Sequence, residues 1–171
     1  MTAAPSTLDS SIYSDFREAL EEFPRPFESE RLPFNSEYRD ALVMCEDFRD
    51  VFALVKRIVK DHLGLERPNM VLQLVDLPLH IGAAHPVGTN RIVMNKRLLD
   101  LAVHHRTLSE VRAFVFSILL HEYIHSLGYL NEYETRRLVF SVSHSAFGSD
   151  HLATKVARYG PWYIFRTPAA S

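Results

Sequence analysis

With a single cysteine, Cys45, this chain of 171 residues can close no internal disulfide, and a reducing, cytoplasmic location is the expectation. Its place on a helical apolar stripe marks that thiol as buried rather than reactive. Long hydrophobic runs are missing too. The longest, "AFVFSILL" at 113–120, is too short to cross a bilayer, and the first residues, "MTAAPSTLDSSIYSDF", lack the basic start and apolar core of a signal peptide. Neither export nor membrane insertion is therefore expected. A strong charge of either sign is also lacking: the formal net charge of −2 argues against a protein built mainly to hold nucleic acid. No repeat, low-complexity run or domain linker divides the chain. What remains is an ordinary globular composition, 47% apolar and 23% charged, at a length suited to one domain with a proper core.

The first 34 residues read as an extension packed on or near a domain that occupies 35–171. A short helix near 11–22 is followed by "EEFPRPFESERLPF", whose Phe23, Phe27 and Phe34 are placed to clip an extended segment onto that domain. Asn35 is an N-cap for a long helix with a stripe at Ala41, Leu42, Cys45, Phe48, Phe52, Val55 and Val59, closed by Gly64. "MVLQLVDL" (70–77) reads as a strand ended by Pro78, "HPVGTN" (85–90) as a turn and "RIVMN" (91–95) as a second strand. Asn95 caps a helix over 96–104 with Leu98, Leu99 and Leu101 inward. The capping box "TLSE" (107–110) opens the next helix, which runs to Leu127 and ends at Gly128. A further helix begins near Asn131 and reaches about Ala146. Ser149 or Asp150 caps a last one over 151–159, and "GPWYIFR" (160–166) is an extended aromatic tail.

Chemistry enters at "LLHEYIHSLGYLNEYE", residues 119–134. Side chains four apart on a helix stack on one face, so His121 and His125 point the same way and can hold one zinc ion. Glu122 is rotated by about 100° from His121, beside the ion rather than on it. There a carboxylate can take a proton from a water and later pass it to a leaving amine. The helix is apolar just upstream, from Phe114 to Leu120, and two histidines and a glutamate are costly in such a setting without a purpose.

Glu132, Glu134, His85, His144 and His151 are the candidates for a third protein ligand. A sharp turn at Gly128 sends the next helix back antiparallel, which brings Glu132 level with His125. His144 is twelve residues further on, about 18 Å along a helix axis, and His151 is further still. Leu138, Val139, Val142 and Ala146 define the buried face of that helix. Glu132 projects near its middle and Glu134 roughly opposite, so Glu132 is the expected ligand, with His151, His85 and Glu134 as alternatives.

The HExxH pattern, its following glycine and the "NE" pair at Asn131 and Glu132 resemble the zincin metallopeptidases. Where metzincins carry a third histidine this chain has Asn131. The pair instead is similar to that of the gluzincins, and the compressed layout most resembles the minigluzincins. "LPLHIGAAHPVGTNRIVMNKRLL" resembles the strand, turn, strand and asparagine-led helix that precede HExxH in small zincins. The resemblance covers about residues 70–145. It implies an α+β, zincin-like domain with a short mixed sheet, a central HExxH helix and an antiparallel glutamate-bearing helix. It further implies zinc-dependent cleavage of a peptide or protein substrate, with His121, His125 and Glu132 as ligands and Glu122 as general base and acid. Substrate would pair with the 91–94 strand, and Tyr129, Tyr133, His85 or His151 would stabilise the oxyanion. A latent state, with "WYIFR" occupying the substrate strand, is a further implication. The competing expectations are a zincin-fold regulator with a structural, four-ligand zinc, and a zinc-free helical protein.

Overall fold

The structure is a computed structural model that describes residues 36–166. By internal contacts the chain divides into two units, Met1–Arg31 and Leu32–Ser171, and every described residue lies in the second. The helix expected near 11–22, the Phe23, Phe27 and Phe34 clip and the Asn35 cap all lie outside the described residues.

Seven helices and one three-stranded mixed sheet make up the described fold, an α+β arrangement. In chain order they are α1 (Ser36–Met44), α2 (Phe48–Leu63), β1 (Val71–Val75), β2 (Ala83–Ala84) and β3 (Arg91–Asn95). The chain continues through α3 (Lys96–His105), α4 (Leu108–Ser126), α5 (Glu132–Phe147), α6 (Leu152–Tyr159) and the short α7 (Tyr163–Arg166). Helix α4 is apolar on every side, and a helix of that kind must be enclosed. Its residues from Ala113 to Leu120 are all buried, and α2, α3, α5, α6, α7, β2 and β3 pack around it. Among the described residues no helix is long and apolar enough to cross a membrane.

The single long helix expected before Gly64 is two. The apolar stripe runs through the break in phase, but Asp47 intervenes: its carboxylate accepts from the N–H groups of Arg49 (2.9 Å) and Asp50 (3.0 Å), while that of Asp50 accepts from the Glu46 N–H (2.9 Å). These reciprocal bonds start a new helix at Phe48, and side chains of this type compete with the helical backbone for its donors. Gly64 ends α2 at φ 65°, as expected. Cys45 is buried, and burial pushes its thiol pKa up.

In the sheet β3 is the central strand, parallel to β1 (Val71 opposite Arg91) and antiparallel to β2 (Ala83 opposite Met94). The expectation that residues 91–94 form a free rim is therefore corrected. Both sides of β3 are occupied, and the edge nearest α4 is β2. Asn95, fully buried, organises the loop between β1 and β2. Its Oδ1 accepts from the N–H groups of Leu77 (3.2 Å) and Arg97 (3.1 Å), and its Nδ2 donates to the carbonyls of Pro78 (3.0 Å) and Ile81 (2.8 Å). One amide thus caps α3 and pins residues 77–82.

Three smaller expectations change. Leu101 faces outward on α3, and Ala102 takes the buried place. Helix α6 is capped by His151, whose Nδ1 accepts from the Ala153 N–H at 3.1 Å, not by Ser149 or Asp150. The tail is helical rather than extended: Tyr163 N–H donates to Gly160 and Phe165 N–H to Trp162, and Ile164 is buried. Phe165 stands edge-on to Phe114, seven residues before His121 and so about 10 Å along the α4 axis from it. Residues 163–166 therefore do not lie as a strand along the sheet.

Candidate metal centre

The i, i+4 spacing on α4 sets the His121 and His125 rings at 78° to one another, 4.7 Å between centroids, with their Nε2 atoms 3.0 Å apart. Past Ser126 the helix is stopped by Gly128, whose φ of 107° a side-chain-bearing residue rarely adopts, and whose N–H donates to the His125 carbonyl. Asn131 then caps α5 through Oδ1, which accepts from the Glu134 N–H at 3.0 Å. The asparagine of the "NE" pair is thus a structural cap, and the residue it places at the first helical position is Glu132. That carboxylate reaches back to His125 Nε2 (2.7 Å) and His121 Nε2 (3.2 Å).

One donor atom from each of these three residues lies within 4.8 Å of the others, and they are the one such group among the described residues. A tetrahedral zinc ion with bonds of about 2.0–2.1 Å sets its donors roughly 3.3 Å apart, so the observed spacings are on the right scale and slightly tight. Two imidazoles and a carboxylate are also a donor set that zinc accepts. The side chain of Glu132 is 58% exposed, and the group opens to solvent on that side.

His125 is held from behind. Its Nδ1 lies 2.6 Å from the Tyr129 carbonyl oxygen, which can only accept, so Nδ1 carries the hydrogen and Nε2 is presented to the group. The hydroxyl of Thr135, a fully buried residue, donates to the same carbonyl at 3.0 Å and lies 3.4 Å from Nδ1. Arg67 braces the end of α4: its guanidinium donates to the carbonyls of Ser126 (2.5 Å) and Thr89 (2.7 Å), and its N–H to the Tyr123 hydroxyl (3.0 Å). No family model, curated protein or solved structure matches the chain. Its chemistry has to be read from these contacts.

Glu122 sits beside the group and not in it. Burial pushes its carboxyl above the usual range, opposed by His121 and His125 and by the backbone N–H of His85, which donates to it. Glu132 shows the opposite shift: hydrogen bonding from His121 and the charges of His121 and His125 outweigh its partial burial and hold it at about 2. Two carboxyls on adjoining helices are thereby pushed apart, one toward keeping a proton and one toward giving it up.

The other candidates are elsewhere. The His85 ring is bonded to the Arg91 carbonyl through Nδ1 (2.8 Å), and only its backbone touches the site. Glu134 is exposed, His144 lies against Phe140, and His151 stacks on Phe147 as the α6 cap. Tyr133 is exposed with Arg137 over its ring, and Tyr129 serves the site through its carbonyl. Arg136 was not anticipated, yet its Nε lies 3.8 Å from Glu132. Thr135 was missed as well, although its position three residues after Glu132 puts it on the same helical face.

Proposed function

We propose that this chain is a zinc-dependent hydrolase of peptide bonds. The observation that carries the reading is the convergence of His121, His125 and Glu132 on one point, with the half-buried Glu122 beside it. Three protein donors leave one position of a tetrahedral ion for water or substrate, which suits catalysis better than a closed structural site. Bound zinc would polarise a carbonyl and acidify water. The residues of the chain supply the rest. His121, His125 and Glu132 hold the ion, and the Glu122 carboxylate takes a proton from the attacking water and delivers it to the leaving amine. A carboxyl whose pKa is raised by burial suits a group that must both accept and return a proton. A peptide is held along the outer edge of β2 by strand addition, since β3 already has both its neighbours.

The test combines metal content with cleavage. Protein purified without added metal is expected to carry about one zinc per chain and to cleave members of a broad peptide library. Glu122→Gln is expected to keep the zinc and lose at least a hundredfold in cleavage rate, the scale of general acid–base catalysis. A chain that takes up no zinc on reconstitution, or a Glu122→Gln variant that cleaves at the wild-type rate, would end the proposal.

A further inference from the structure

We infer that Thr135 is a positioning residue of the metal centre, acting through the Tyr129 carbonyl to fix the tautomer and direction of the His125 ring. The inference rests on the reading of His121, His125 and Glu132 as metal ligands. A neutral imidazole has two tautomers, and only one leaves the Nε2 lone pair toward the group. The Tyr129 carbonyl selects it, because that oxygen accepts the Nδ1 hydrogen at 2.6 Å. That carbonyl belongs to the turn between α4 and α5, and its direction is set in turn by Thr135, whose hydroxyl donates to it at 3.0 Å. Thr135 is fully buried on α5, one turn after Glu132. A single hydroxyl therefore ties the helix bearing the carboxylate ligand to the ring of a histidine ligand on the other helix. Packing alone would be served as well by valine, which has the same shape.

Zinc affinity of the full chain, measured by competition with a chromophoric chelator, is compared for wild type, Thr135→Val and Thr135→Ser. The His125 Nδ1 hydrogen, which the Tyr129 carbonyl accepts whether or not Nε2 also donates to Glu132, is read by nitrogen-15 NMR in the same proteins without metal. Thr135→Val is expected to bind zinc about 10- to 100-fold more weakly and to show a weakened His125 Nδ1 hydrogen bond. Thr135→Ser, which keeps the hydroxyl, is expected to stay close to wild type in both. If Thr135→Val fails to fold, Thr135→Ala carries the same comparison. Valine binding zinc as tightly as wild type with an unchanged Nδ1 hydrogen bond would overturn the inference, as would equal losses in the valine and serine variants. Should wild type itself take up no zinc, the proposed function falls, and the Nδ1 hydrogen-bond comparison alone still decides the role of Thr135.

Discussion

Substituting Asn95 by alanine is expected to destabilise the fold by about 4 kcal/mol. The side chain is fully buried and makes four hydrogen bonds: it accepts from Leu77 and Arg97 and donates to Pro78 and Ile81. A net contribution of about 1 kcal/mol per bond gives the sum, and more is lost wherever an abandoned carbonyl finds no water. Against a total stability on the order of 5–15 kcal/mol, the loss is large without being fatal. For a chain of this size it corresponds to a fall in Tm of roughly 8–16 °C. Asn95→Asp makes the test sharper. It keeps both acceptor bonds and the α3 cap, but turns a carboxylate against two carbonyl oxygens. Those oxygens favour the protonated form, so the introduced carboxyl has a raised pKa in the fold. Its destabilisation is full above that folded-state pKa and is relieved as pH falls through it. Urea unfolding followed by circular dichroism, at neutral and at mildly acidic pH, measures both variants. An Asn95→Ala loss under 1 kcal/mol, or an aspartate variant as stable as wild type at neutral pH, would refute the assigned network.

At the proposed metal centre, Glu132→Ala is expected to weaken zinc binding far more than Glu134→Ala, because only Glu132 reaches His121 and His125; equal affinities against a competing chelator would contradict this. Away from it, the buried Tyr38 hydroxyl donates to Asp61 and its pKa is pushed up to about 12, by burial first and Asp61 second. A raised folded pKa means that the contribution is complete below the unfolded value near 10 and is lost as pH rises toward 12. The stability advantage of wild type over Tyr38→Phe should therefore shrink as pH rises across that interval. An advantage that stays constant to pH 12 would show that the hydroxyl does not depend on its proton.

What was legible in the sequence is what local chemistry decides. Asn95, Thr107, Asn131 and Gly64 each cap a helix end by contacts within a few residues, and α3, α4 and α5 begin as those signals indicate. The convergence of His121, His125 and Glu132 was legible for the same reason, since a helix, a glycine turn and a helical face are all short-range geometry. The break at Asp47 was hidden because the apolar stripe continues through it in phase. The central place of β3 was hidden because strand order depends on pairing with β1, far back in the chain. The tail has the β propensity of Trp162, Tyr163, Ile164 and Phe165, yet the surfaces offered by Phe114 and α6 decide its form. Thr135 escaped notice because a threonine on a buried stripe looks neutral until its hydroxyl is seen to have an acceptor.

The same distinction between near and far contacts separates binding from hydrolysis. The Tyr129 carbonyl and Thr135, which orient His125, lie with the proposed ligands between His121 and Thr135, within one helical hairpin, and such contacts cost little loop-closure entropy. Glu122 also depends on the backbone N–H of His85, delivered from the end of β2, and Asn95 pins the loop that leads into that strand. Disturbing the loop should therefore loosen the partner of Glu122, the proposed proton carrier, while the hairpin of proposed ligands stays formed. Asn95→Ala is accordingly expected to retain zinc with nearly wild-type affinity and to lose peptide cleavage, both measured on one preparation at a temperature where the variant is folded. Parallel loss of zinc and activity would mean that the sheet loop supports the ligands themselves, and that the hairpin does not hold the metal site alone.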